Sequence, residues 1–215
     1  LQVQEMIQKG LRNLYPDIQF MGEEKDNSGI DFAGAVWILD PVDGTTNLVH
    51  RFDHSAVSLA LAVDSRLELG IVYNPYRDEL FHAVRGGGAY LNGNPIHVGS
   101  AAQMREALIS VGTAPYYHEL ADRNFERIKS IFLDCQDIRR LGSAALDLSY
   151  VACGRIDAYF EPNLKPWDYG AGALLVKEAG GCVTDFEGRE PALNRPCCVV
   201  AGTPGIHRAL LERYL

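Results

Sequence analysis

Trp37-Ile38-Leu39-Asp40-Pro41-Val42-Asp43-Gly44-Thr45-Thr46-Asn47 packs a strand, two carboxylates and a glycine turn into eleven residues. Ala35–Leu39 is a short apolar run rich in β-formers and reads as a buried strand. Two carboxylates, Asp40 and Asp43, close it three residues apart. Pro41 has no N–H to donate and is expected to stop the ladder. Gly44 permits a tight turn, and Thr45-Thr46-Asn47 suit a helix N-terminus. Two carboxylates and the Val42 carbonyl at a strand end can hold a hard cation such as Mg²⁺, which prefers oxygen ligands. The N–H groups of Gly44, Thr45 and Thr46 can point at a phosphate, helped by the positive end of the following helix. Metal beside phosphate is the arrangement that metal-assisted phosphoryl transfer needs. A bare Asp-Gly turn would mean little, because both residues favour turns for local reasons.

The bulk properties set outer bounds. The 215 residues suffice for one sizeable core, read as a single domain of two packed halves, 1–135 and 136–215. A formal net charge of −8 argues against a nucleic-acid backbone as partner and suits a protein that collects cations. No apolar run approaches the roughly twenty residues that span a bilayer, so no membrane partner is expected. No leader is visible, and five cysteines without zinc spacing read as reduced thiols of a cytoplasmic protein. His50 and His54 are four apart but lack a His-Glu-x-x-His pattern, so zinc is discounted.

Outward from the central stretch, Val3–Tyr15 reads as an amphipathic helix and Ile18–Met21 as a strand ended by Gly22-Glu23-Glu24. Ala56–Val63, Leu67–Tyr73, Glu79–Ala83 and Ala89–Leu91 read as an antiparallel meander. Asn92-Gly93-Asn94-Pro95 is among its turns, and Gly86-Gly87-Gly88 is a bend rather than a nucleotide loop. Further on, Ala107–Val111 and Asp137–Leu141 read as strands. His118–Leu133 reads as a helix with Leu120, Phe125, Ile128, Ile131 and Phe132 inward. Ser143 is the N-cap of a helix running to about Cys153. Ile156–Phe160 is a strand ending at Glu161, and Asp168 is the N-cap of a helix over Tyr169–Ala179 made thin by Gly170 and Gly172. Val183-Thr184 and Cys198–Ala201 are closing strands, and Gly205–Tyr214 a closing helix. Alternating blocks of strands and helices indicate a mixed, layered α/β domain.

Two stretches carry a resemblance. Asp40-Pro41-Val42-Asp43-Gly44-Thr45-Thr46-Asn47 is similar to the first signature of the inositol monophosphatase family. Trp167-Asp168-Tyr169-Gly170-Ala171-Gly172, running to Glu178-Ala179-Gly180-Gly181, resembles the second. The resemblance implies a five-layered αβαβα sugar-phosphatase fold with its site between two halves. It also implies further helices before this point of the chain, including an acidic, threonine-bearing segment near the metals. The implied activity is Mg²⁺-dependent hydrolysis of myo-inositol monophosphate, with two to three ions, lithium sensitivity and a homodimer. By the same resemblance Glu23, Asp40 and the Val42 carbonyl hold one metal, and Asp40, Asp43 and Asp168 a second. Thr45 and Glu23 position the attacking water. Gly44 and Thr45 bind phosphate, while Asp43, Gly142, Ser143, Ala144 and Glu161 lie near the substrate's hydroxyls. The motifs leave open a related phosphatase for fructose 1,6-bisphosphate, histidinol phosphate or a 3′-phosphoadenosine nucleotide. A sugar-phosphate-binding protein without catalysis is the reading from a different class.

Overall fold

In the computed structural model, which describes residues 2–215, the central stretch lies second from the edge of a seven-stranded sheet. The chain opens with α1 (Gln2–Leu14) and β1 (Gln19–Gly22), then β2 (Ala35–Asp43) and a single helical turn, α2 (Thr45–Val49). The meander β3 (Ala56–Val63), β4 (Arg66–Asn74), β5 (Glu79–Val84), β6 (Ala89–Leu91) and β7 (Asn94–Ile96) follows. These strands lie in sequence order, parallel between β1 and β2 and antiparallel thereafter. Asn94-Pro95, expected as a turn, instead belongs to β7, an edge strand where proline's missing donor costs no bond.

The second sheet begins at β8 (Leu108–Val111), well before residue 135. After it come α3 (Ala121–Asp134), β9 (Asp137–Arg139), α4 (Ala144–Ala152), β10 (Ala158–Leu164) and α5 (Pro166–Glu178). The chain closes with β11 (Cys182–Thr184), β12 (Cys197–Gly202) and α6 (Pro204–Arg213). The sheet order is β11-β12-β10-β8-β9. The layers are α1, the first sheet, the α4–α5 pair, the second sheet, and α3 with α6. This is a five-layered αβαβα arrangement.

β2 is apolar on both faces because both are covered. Val36 and Ile38 pack into the large core around α4 and α5, whereas Trp37 and Leu39 join Phe20 and the α1 residues Ile7 and Leu11. Pro41 does not end the strand. Pairing with β3 runs from Asp40↔Ser58 to Asp43↔Ala56 across a one-residue shift, so Pro41 and Val42 occupy a bulge that asks no ladder bond of the proline. β10 likewise runs past Glu161 to Leu164, bulged between those two residues.

α3 also differs from the reading. His118–Leu120 is a 3₁₀ turn, and Phe125 and Phe132 are 57% and 52% exposed. The inward face is Asn124, Ile128 and Ile131, at i, i+4 and i+7. Asn124 holds a core position because its amide donates to the Gly112 carbonyl at 2.9 Å. The glycine triplet is a bend as expected: the Gly86 and Gly88 N–H groups donate to the Glu178 carboxylate at 2.9 and 3.0 Å. The second signature is thereby tied to the first sheet.

Candidate functional site

Parallel pairing of β1 with β2 carries Glu23 alongside Asp40, since the Glu23 N–H donates to the Leu39 carbonyl at 3.3 Å. The β2 bulge sets Asp40 and Asp43 on the same cavity, which has a volume of about 140 Å³. Asp168 reaches it from α5. That helix begins at Pro166, so Asp168 is its third residue and not its cap. Its Oδ2 reaches back to accept the Lys165 N–H at 2.7 Å, which is the carboxylate half of a capping box. Proline is preorganised for the first helical position, which moves the start ahead of the aspartate.

Asp40, Asp43 and Asp168 each present an oxygen within 4.8 Å of the others. Each is aimed by its own hydrogen bonds. Asp40 Oδ1 accepts the Val42 N–H at 2.8 Å, and Asp43 Oδ2 accepts the Ser143 hydroxyl at 2.5 Å and the Ala145 N–H at 2.8 Å. Among the described residues no Lys or Arg forms an ion pair with any of the three. Burial, then the neighbouring charges of Asp43, Glu23 and Asp168, push the Asp40 carboxyl well above the ordinary range. Burial raises Asp43 to about 6 against its bonds to Ser143 and Ala145. Burial and then the Asp43 charge raise Asp168 well above its ordinary value. Glu23, at the rim, is raised first by burial of its carboxyl. A hard divalent cation relieves this repulsion, and every donor offered is oxygen, so the set fits Mg²⁺.

The turn beside the trio is tightly constrained. Gly44 has φ +88°, and a Cβ there would lie 3.0 Å from the His54 carbonyl and 3.2 Å from that of Gly142. Asn47 ties the turn down by donating to the His54 and Leu141 carbonyls, both at 2.8 Å. The exposed Thr45 hydroxyl donates to the Val42 carbonyl at 3.1 Å, which leaves that carbonyl a second lone pair. α2 is only one turn long, so what it offers an anion is its first unpaired N–H groups rather than an extended dipole.

Gly142, Ser143 and Ala144 form the facing wall. Ser143 is the N-cap of α4 as read, accepting the Leu146 N–H at 3.3 Å while donating to Asp43. Glu161 is buried at the cavity's end, where Oε1 accepts the Ala114 N–H at 2.8 Å and Oε2 the Tyr159 hydroxyl at 2.6 Å. Burial raises its carboxyl, opposed by those two bonds. The structure thus brings Glu23, Asp40, Val42, Asp43, Gly44, Thr45, Gly142, Ser143, Ala144, Glu161 and Asp168 to one cavity.

Among the lining residues that escaped the sequence reading, two are charged. Asp147 lies inside α4, its Oδ1 accepting the Ser110 hydroxyl at 2.6 Å. A carboxylate within an otherwise apolar helix was the signal for it. Arg140 is the one cation among the residues lining the cavity, and its signal was the Arg139-Arg140 pair before the Gly142-Ser143 turn.

Comparison with known proteins agrees with this geometry. The family model described as the inositol monophosphatase family matches residues 1–215. Nus factor SuhB of Salmonella typhimurium (strain LT2) is 42% identical over 202 residues, covering 94% of this chain and 75% of that protein. Its Escherichia coli K12 counterpart is 41% identical over 201 residues, with the same coverages. The structure of inositol monophosphatase II from Staphylococcus aureus MSSA476 superposes with a TM-score of 0.91 at 32% identity, covering 99% of this chain and 79% of that one. Inositol monophosphatase from Anabaena (Nostoc) sp. PCC 7120 gives a TM-score of 0.92 at 34% identity, covering 97% and 82%. With both signatures converging on one carboxylate-lined cavity in this fold, the chain belongs to the inositol monophosphatase family.

Proposed function

We propose that the chain is a Mg²⁺-dependent phosphomonoesterase acting on a small polyol phosphate, with inositol monophosphate as its substrate. The convergence of Asp40, Asp43 and Asp168 beside the Gly44–Thr46 turn carries this reading. A structure of SaIMPase-II with inositol monophosphate bound shares the fold at a TM-score of 0.90 and supports the choice of substrate. Asp40, Asp43, Asp168, Glu23 and the Val42 carbonyl are the groups that would hold two to three ions. Bound there, Mg²⁺ would polarise the phosphoryl group, acidify water and neutralise the leaving oxygen.

The chain's own residues do the rest. Gly44 and Thr45 N–H groups bind the phosphate and fix its orientation. Thr45 and Glu23 orient the attacking water in line with the ester bond. Asp43, the Gly142–Ala144 backbone and Glu161 face the alcohol. Lithium, a small hard cation, competes for such an oxygen-lined site and inhibits. The active form is a homodimer, which light scattering reads directly. Phosphate release from inositol 1-phosphate, measured with Mg²⁺ and with chelator, tests the proposal. Activity that persists in chelator, or no release with Mg²⁺, rejects it.

The relatives named Nus factor SuhB favour a second reading, in which this fold serves as a Nus factor. Complementation of an Escherichia coli strain lacking Nus factor SuhB separates the two. Rescue by a catalytically dead Asp168→Asn chain would assign that role independently of hydrolysis.

A further inference from the structure

We propose that Arg140 determines specificity by reading the hydroxyls of the substrate's alcohol from beside Glu161, an inference that rests on the phosphomonoesterase reading above. Among the described residues its guanidinium forms no ion pair. Nε and Nη2 both donate to the Thr113 hydroxyl oxygen, at 3.3 and 3.1 Å, which sets the plane of the fork. Nη1 passes over Gly142, where a Cβ would come within 2.2 Å of it. Gly142 has φ +88°, a left-handed conformation that glycine adopts freely, and its bare backbone leaves room for the guanidinium to cross it.

The tether itself is built. Thr113 sits between Gly112, whose N–H donates to the Phe160 carbonyl at 2.8 Å, and Ala114, whose N–H donates to Glu161 Oε1 at 2.8 Å. Ala114 has φ +45°, a left-handed conformation that a non-glycine residue adopts only when its surroundings impose it. The loop that holds Arg140 thus also clamps Glu161, and the donor and the acceptor keep a fixed relation side by side.

That pairing selects a chemistry. Arg140 can only donate, whereas Glu161 accepts. A hydroxyl does both, so a ring carrying adjacent hydroxyls satisfies the two groups together. An aryl alcohol offers no hydroxyl to either group and leaves Arg140 Nη1 and the remaining lone pairs of Glu161 without a partner on binding. A second phosphate would meet Arg140 but also face Glu161 and Asp147, two buried carboxylates. The ligand class is therefore a neutral polyol esterified at one position.

The test compares inositol 1-phosphate, p-nitrophenyl phosphate and fructose 1,6-bisphosphate at saturating Mg²⁺ for wild type, Arg140→Gln, Arg140→Lys and Thr113→Val, with circular dichroism melts to show folding. In Arg140→Gln the kcat/KM ratio of inositol 1-phosphate to the aryl ester should fall about tenfold, chiefly through KM. Arg140→Lys should recover part of it, and Thr113→Val, which frees the fork, should move the ratio the same way by less. An unchanged ratio in folded Arg140→Gln overturns the proposal. So does an equal fall in kcat for all three substrates, or a largest loss for the bisphosphate, which would make Arg140 a reader of anions. No release from any substrate by wild type would overturn the phosphomonoesterase reading itself, whereas a lost ratio effect in an active enzyme overturns this proposal alone.

Discussion

Asp168 does two jobs with two oxygens. Oδ2 takes the Lys165 N–H, and the carboxyl lies in the trio with Asp40 and Asp43. Asp168→Asn keeps an acceptor for Lys165 and removes one charge from a repelling cluster. The metal-free variant should therefore melt at or above the wild-type temperature. Its Mg²⁺ requirement should rise and its turnover fall by about a hundredfold or more, because the leaving oxygen loses stabilisation. Titration of phosphate release against Mg²⁺ checks this, and near-normal turnover would leave Asp168 only a helix-start residue. Ser143 offers a contrasting case at the same scale. Ser143→Ala removes the cap on Leu146 and the donor to Asp43 together, and should cost about 1–2 kcal/mol in denaturant unfolding.

α5 is the element on which the site depends. It lies between the two sheets and carries Asp168 at one end and Glu178, the anchor of the Gly86–Gly88 bend, at the other. Its small residues allow this. A Cβ on Gly172 would sit 2.5 Å from the Leu148 Cβ of α4, and one on Gly70 of β4 would sit 2.6 Å from the Ala171 carbonyl of α5. Both contacts involve atoms without rotamer freedom, so only movement of α5 relieves them. Gly172→Ala should cost about 1–3 kcal/mol by overpacking. It should also lower activity, because α4 carries the wall that faces Asp168. Thermal melts together with phosphate release check both effects, and an unchanged melt with full activity would show that the helices have slack.

For the whole molecule, the buried carboxylates make metal-free stability depend on pH in a stated direction. Asp40, Asp43, Asp147, Glu161 and Asp168 all have folded-state values above their unfolded ones. The folded chain then binds more protons than the unfolded chain, so stability falls as pH rises. This contribution is complete below the ordinary carboxylate range, about pH 4. It is lost as pH climbs through the folded values, with Asp43 at about 6. Asp26, Asp137 and Asp185 are lowered and act in the opposite sense only where pH falls below that range. His54 and His207, lowered by burial, oppose the decline within the window itself, but are two groups against five carboxyls. The melting temperature of chelated protein should decline from pH 5 to pH 7, and excess Mg²⁺ should reduce the decline by holding Asp40, Asp43 and Asp168 ionised. A flat profile in chelator would refute the account.

The sequence by itself determined what is local. A short apolar run of β-formers and turn chemistry within a dozen residues placed β2, the two aspartates and the Gly44 turn, and the Ser143 cap followed from its own helix start. The thinness of α5 could be read from Gly170 and Gly172, since missing side chains permit close approach wherever the helix packs. What crossed the chain belonged to the tertiary structure. Periodicity says which face of an element is buried but not what covers it, so Asp147 and Arg140 became site residues only when the sheets closed around α4 and α5. Pro41 was misjudged for the same reason: whether a missing N–H breaks a strand depends on the partner's register, and here β3 pairs across a bulge. Phe125 and Phe132 were assigned inward by hydrophobicity, yet the inward position went to Asn124 because the Gly112 carbonyl at the end of β8, on which α3 packs, needed a donor.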